Sequence, residues 1–163
     1  RQCNATWNMD YWRAAEEWSV NVFVNDSIGV STNESFSFYF NVLTSHSIST
    51  SNINFSGSPG HTINSSNAYP FTIHNTGNKV LNLSLKGTDF IGSPDSTYNF
   101  SIGNATYSDT VAGSYTSITT DFVQVAALNN LGPAATDELY FRGYIPIGTK
   151  AQNYQNTISI KSD

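Results

Sequence analysis

Apolar and polar residues alternate along much of this chain, and this pattern restricts its fold more than any other feature. The alternation is regular over 18–24, 36–42 and 81–86. Successive side chains on a β-strand point to opposite faces, so a period of two predicts half-buried strands. Helical composition is confined to 13–17. The sequence therefore predicts an all-β fold, a two-sheet antiparallel β-sandwich of the jelly-roll or immunoglobulin-like type.

Three local interpretations follow from the same pattern. The stretch 36–42, with Phe36, Phe38 and Phe40 on one face, is expected to be the clearest core strand. The strands at 69–74 and 81–86 are expected to form a hairpin around the Asn75-Thr-Gly-Asn78 turn, because this is turn chemistry. Residues 13–17 are too few for a stable helix and indicate a turn or short helical linker.

The first residues form the most regular strand pattern, since alternation is unbroken over nine positions. A chain end is usually loose and polar, whereas this one has a heavy apolar face. An exposed apolar row favours association, so this face either packs in its own domain or completes a sheet in a neighbouring molecule. The side chains expected on this face are those of Cys3, Ala5, Trp7, Met9 and Tyr11.

Composition excludes some functions. The 163 residues suffice for one domain with a core. The net charge of −5 and seven scattered basic residues argue against a nucleic-acid partner. No apolar run reaches the roughly 20 residues that span a bilayer, so no membrane span is expected. Low charge with abundant Asn, Ser and Thr is typical of an extracellular surface protein.

Eight asparagines lie in the Asn-x-Ser/Thr pattern of N-glycosylation acceptors. Random placement of the same residues would give more than half as many such motifs. Two interpretations therefore stay open: incidental motifs in a polar secreted protein, or N-linked glycans at several sites. The candidate sites are Asn4, Asn25, Asn33, Asn54, Asn64, Asn82, Asn99 and Asn104.

Residue patterns of catalysis and metal binding are missing from the sequence. His46, His61 and His74 have no ligand-type spacing. No nucleophile motif and no phosphate-binding glycine loop is found. The sequence therefore predicts no catalytic residues, no metal or cofactor, and a protein that is not an enzyme. The single cysteine excludes an internal disulfide, which leaves Cys3 as a small apolar strand residue or an intermolecular disulfide partner.

The second half carries motifs of a known group of proteins. The motifs are His74-Asn-Thr-Gly-Asn78, Leu81-Asn-Leu-Ser-Leu85, Gly87-Thr-Asp-Phe90, Tyr144-Ile-Pro-Ile-Gly-Thr149 and Tyr154-Gln-Asn-Thr-Ile158. Over about 70–160, the chain resembles secreted β-sandwich proteins of archaeal cell surfaces. With its N-terminal strand included, it resembles the subunits of archaeal thread and bundling-pilus filaments, which are similar to the TasA/camelysin biofilm-fibre family. The stretch 12–18, with Trp12 and Trp18, has no counterpart in that pattern.

The resemblance implies subunits that polymerise head to tail by donor-strand complementation and are often glycosylated. The donor residues would be Cys3, Ala5, Trp7, Met9 and Tyr11. Residues 1–18 would then be the donor strand and linker, and residues 19–163 a single β-sandwich domain. The expected function is an extracellular filament subunit serving adhesion or biofilm formation, with copies of itself and N-linked glycans as partners. The alternative is a non-polymerising adhesin, S-layer or carbohydrate-binding module.

Overall fold

The computed structural model describes residues 4–66 and 69–163 and has an all-β fold of antiparallel sheets, as the sequence predicts. Two short 3-10 turns, Ile102–Asn104 and Ala126–Leu128, are its helical elements within those residues. The strands are β1 (Glu17–Asn25), β2 (Ser31–Tyr39), β3 (His46–Ile48), β4 (Thr62–Asn64), β5 (Phe71–Asn75), β6 (Leu83–Gly87), β7 (Phe90–Ser93), β8 (Asn99–Phe100), β9 (Ala105–Ser108), β10 (Thr116–Ser117), β11 (Val123–Gln124), β12 (Thr136–Tyr144), β13 (Asn153–Gln155) and β14 (Ile158–Ser162).

Two sheets supply most of the core. The first has the order β10-β9-β12-β5-β3, with β4 also paired to β12, and the second has the order β11-β6-β14. A small sheet, β13-β7-β8, lies beside them. Alternate residues of β5, β6 and β12 are buried, which is the pattern expected for strands with one face on a core. The central side chains are those of Phe71, Ile73, Leu83, Leu85, Leu139 and Phe141.

The predicted hairpin around 75–78 is wrong. β5 pairs with β3 and β12, whereas β6 pairs with β11 and β14, so the turn carries the chain from one sheet to the other. Asn75 is fully buried there, and its Nδ2 donates to the carbonyl oxygens of Lys79 and Leu131. A contact to a residue 56 positions away fixes the crossing, and local turn chemistry does not reveal it.

The strand expected to be the clearest in the core is not in the core. It contributes β2, which pairs along its full length with β1 in a separate two-stranded ribbon. Phe36 is 53% exposed, and among the described residues the buried apolar side chains of the core run from Phe71 to Phe141. Period-two alternation identifies the apolar face of a strand, but it does not show what covers that face.

The chain before β1 has no regular secondary structure over residues 4–10. A turn follows, in which the Arg13 amide donates to the Asp10 carbonyl oxygen at 3.2 Å. The predicted linker at 13–17 is therefore a non-helical bend that leads into β1. Because residues 4–10 form no ladder with another described strand, their backbone is free to pair elsewhere.

Candidate assembly interface

A groove of about 590 Å³ opens where the two main sheets end side by side. The first sheet ends at β3 and the second at β14, and neither strand has a further partner among the described strands. Edge strands present unpaired N–H and C=O groups, so this opening is flanked by two templates for an added strand. The groove is lined chiefly by His46, Ile48, Ile53, Phe55, Phe71, Phe141, Tyr154, Asn156, Ile158 and Ile160.

The base of the groove is the apolar core itself. Phe71 and Phe141 are buried and meet edge to face, with ring centroids 5.4 Å apart. Ile53, Phe55, Ile158 and Ile160 are half-buried and pack against this base. Ile48, on β3, is 42% exposed. An apolar floor between two strand edges accepts an extended segment whose alternate side chains are apolar.

A buried donor in the groove is unpaired. The Nδ2 of Asn156 is shielded from solvent and has no hydrogen-bond partner among residues 4–66 and 69–163. An unsatisfied buried donor of this kind costs about 1–3 kcal/mol in the folded chain.

His46 links the two sides of the groove. Its Nδ1 lies 3.3 Å from the Ser162 Oγ, which joins β3 to β14. Burial lowers the pKa of His46 below its usual value because desolvation disfavours the imidazolium form. A histidine that favours its neutral form therefore connects β3 to β14 at this end of the groove.

The described residues of the predicted donor strand are mostly exposed in their own chain. Trp7 is 53% exposed, Ala5 and Tyr11 are also exposed, and Met9 is half-buried. Cys3 lies outside the described residues. Sequence reasoning missed the groove because its lining comes from four separated stretches, 46–55, 71, 141 and 154–160, and no local pattern identifies it.

The described glycan candidates differ in their exposure and in the hydrogen bonds of their side chains. Asn4, Asn25, Asn33, Asn54, Asn64 and Asn99 are exposed, whereas Asn82 and Asn104 are half-buried. The Nδ2 of Asn104, the atom that would carry a glycan, donates to the Ser101 carbonyl oxygen at 2.9 Å. Asn82 accepts a hydrogen bond from the Asn130 amide.

A tyrosine and arginine cluster lies on the first sheet, away from the groove. The Arg142 guanidinium stacks over the Tyr115 ring at 3.8 Å, and the Tyr115 and Tyr69 hydroxyls are 3.2 Å apart. Tyr140 meets Tyr69 edge to face at 4.9 Å. Burial, with a contribution from the Tyr69 hydrogen bond, raises the pKa of Tyr115 to about 12. Aromatic rings with polar groups at their tips are common at contact surfaces.

Within the described residues, no three His, Cys, Asp or Glu side chains are grouped so that they could hold a metal ion. His46, His61 and His74 lie in different surroundings, near Ser162, Pro59 and Ala134 respectively. No helix among those residues has the length and apolarity needed to cross a membrane.

No protein-family model and no curated protein matches this chain. One similar solved structure is from a study of glycolipid glycan hydrolysis by a family 123 glycoside hydrolase from Clostridium perfringens. The TM-score is 0.46 and the identity 13%, and the match covers 73% of this chain. This chain spans 24% of the hydrolase chain, and a likeness of this degree carries no argument about activity.

Proposed function

We propose that this protein is the structural subunit of an extracellular filament, in which residues 5–11 of one copy fill the groove of the next. The proposal rests on two features of one chain that complement each other. An apolar segment has no sheet of its own, and an open sandwich edge lacks a strand. A head-to-tail contact of this kind does not close on itself, so it generates an open polymer.

Apolar burial and backbone pairing stabilise the link against an ordering cost of about 1–2 kcal/mol for each donor residue. Burying a large apolar side chain contributes roughly 1.5–3 kcal/mol, and Trp7, Met9 and Tyr11 are all available for burial. Backbone pairing along the edge of β14 or β3 adds about 0.5–1.5 kcal/mol for each hydrogen bond. The polar residues between the apolar ones then face solvent.

A mixing experiment tests this proposal. Trp7→Asp disables the donor and leaves the groove intact, whereas Ile48→Asp disables the groove and leaves the donor intact. Each variant alone should remain a folded monomer by size-exclusion chromatography with light scattering. Mixed together, they should form a one-to-one heterodimer, because one functional donor and one functional groove remain.

Neighbouring polar residues provide matched controls. Asn8→Asp and Ser47→Asp introduce the same side chain on the opposite face of each segment, and both variants should still form filaments by electron microscopy. Filaments of Trp7→Asp that are indistinguishable from those of the unaltered protein would overturn the proposal. So would a mixture that contains monomers only.

The tyrosine and arginine cluster favours a second candidate function, a carbohydrate-binding surface module. Its groups are Tyr69, Tyr115, Tyr140 and Arg142, described above. A glycan array probed with the Trp7→Asp monomer tests this function independently of assembly. Binding that disappears in Tyr115→Ala would support it, and no binding to any glycan would exclude it for the sugars on the array.

A further inference from the structure

The β1–β2 hairpin is amphipathic, and its apolar face is uncovered. Cross-strand partners Trp18 and Phe38, then Val20 and Phe36, lie on one face. We call this the apolar hairpin face, defined by Trp18, Val20, Val22, Val24, Phe36 and Phe38, with Thr32 and Glu34 towards the tip. Val22, Val24 and Phe36 are exposed, and neither strand joins a larger sheet among the described residues.

Such a ribbon requires a partner. A two-stranded hairpin alone in water is marginally stable, and it needs a third strand or a packed face. Its strands also lack the lysines and prolines with which proteins protect exposed edges. The opposite face consists mainly of Ser and Asn, and it carries the glycan candidates Asn25 and Asn33. Glycans there would leave the apolar hairpin face clear.

Chain connectivity indicates which molecule covers it. Under the proposed function, on which this inference rests, residues 5–11 lie in the groove of the next copy. The linker 12–16 reaches at most roughly 20 Å, so β1 must begin close to that copy. The end of β2 is held to its own body, where the Asn78 Nδ2 donates to the Asn41 carbonyl oxygen at 2.8 Å. The hairpin is therefore placed between two copies.

The hairpin is acidic. The stretch 14–45 contains Glu16, Glu17, Asp26 and Glu34, and it has no Lys or Arg. The lysines on the outer face of the groove-flanking sheet already have partners, since Lys161 pairs with Asp163 at 2.6 Å and Lys86 lies over the Phe122 ring at 4.7 Å. The contact is therefore inferred from connectivity and from the apolar hairpin face, and not from charge.

We infer that the apolar hairpin face is a second inter-subunit contact, which packs against the copy that receives the N-terminal segment. Once the donor is seated, the hairpin binds at the high effective concentration set by a short linker. Even a few contacts made by the hairpin then add substantially to the stability of the link between two subunits.

Two neighbouring residues of β1 provide the test. Val22 lies on the apolar hairpin face and is 41% exposed, whereas Phe23 lies on the opposite face and is 67% exposed. We expect Val22→Asn to raise the critical concentration for filament assembly roughly tenfold, and Phe23→Asn to change it little; an uncharged substitution avoids repulsion from Glu34, the cross-strand partner of Val22. Val22→Thr keeps a strand-forming residue and should raise it in the same direction by a smaller factor.

A second readout separates this inference from the proposed function. A labelled peptide of residues 4–12 is titrated into full-length Trp7→Asp, with and without Val22→Asn, to measure occupancy of the groove alone. Equal peptide binding together with the difference in assembly supports the inference. Equal peptide binding with identical critical concentrations for all three β1 variants overturns the inference alone. A peptide that binds neither protein overturns the proposed function, and the inference with it.

Discussion

At the scale of single residues, His46 makes the groove sensitive to pH. Burial lowers its pKa below 6.5, so the folded chain favours the neutral imidazole. For such a base, stability is full above the unfolded pKa and declines as the pH falls from about 6.5 towards the folded pKa. We predict that the Trp7→Asp monomer unfolds at a lower temperature at about pH 5.5 than at about pH 7.5, and that adding His46→Gln reduces this difference.

Calorimetry of the two proteins at both pH values provides the measurement. Carboxylates change little in charge over this window, because their ordinary pKa values lie near 4. An equal drop in both proteins would contradict the assignment, since the pH sensitivity would then lie at a group other than His46.

At the scale of elements, the crossing at 75–78 joins the two sheets that flank the groove. The side chain of Asn75 donates to the Lys79 and Leu131 carbonyl oxygens and accepts from the Gly77 amide. We predict that Asn75→Ala lowers the free energy of unfolding by about 1–3 kcal/mol, because the buried Gly77 amide loses its acceptor and the Lys79 and Leu131 carbonyl oxygens each lose a donor. Urea unfolding of Trp7→Asp, with and without Asn75→Ala, measures this difference in the free energy of unfolding.

The matched control for this element is Asn41→Ala, at an exposed asparagine near the base of the hairpin. A surface change of this kind should alter the free energy of unfolding by no more than about 0.5 kcal/mol. Equal effects of the two substitutions would show that the buried crossing does not hold the sheets together.

At the scale of the whole molecule, the fold sorts the glycosylation candidates of the proposed glycoprotein. Asn33 is exposed on the polar face of the hairpin, whereas the Nδ2 of Asn104 is engaged with the Ser101 carbonyl oxygen. We predict that glycopeptide mapping of the native protein finds a glycan on Asn33 and none on Asn104. A modified Asn104 together with an unmodified Asn33 would contradict this ranking.

The all-β sandwich could be predicted because alternation is a local property that strands on a core must show. The same alternation in Phe36 and Phe38 was insufficient to distinguish a core strand from an uncovered hairpin, since the two cases differ only in their surroundings. The turn at 75–78 has hairpin chemistry, yet a contact with Leu131 decides its path. The groove depends on Phe71, Phe141 and Ile160 meeting in space, which no sequence pattern records.

Amide hydrogen exchange tests the central claim most directly, because it needs no knowledge of the register in the groove. The amides of residues 4–11 are compared in assembled protein and in the Trp7→Asp monomer. We predict slow exchange in the filament, where these amides enter a β-ladder with the next copy. Exchange should be fast in the monomer, where they pair with no described strand. Fast exchange in both forms, or equal protection in both, would contradict it.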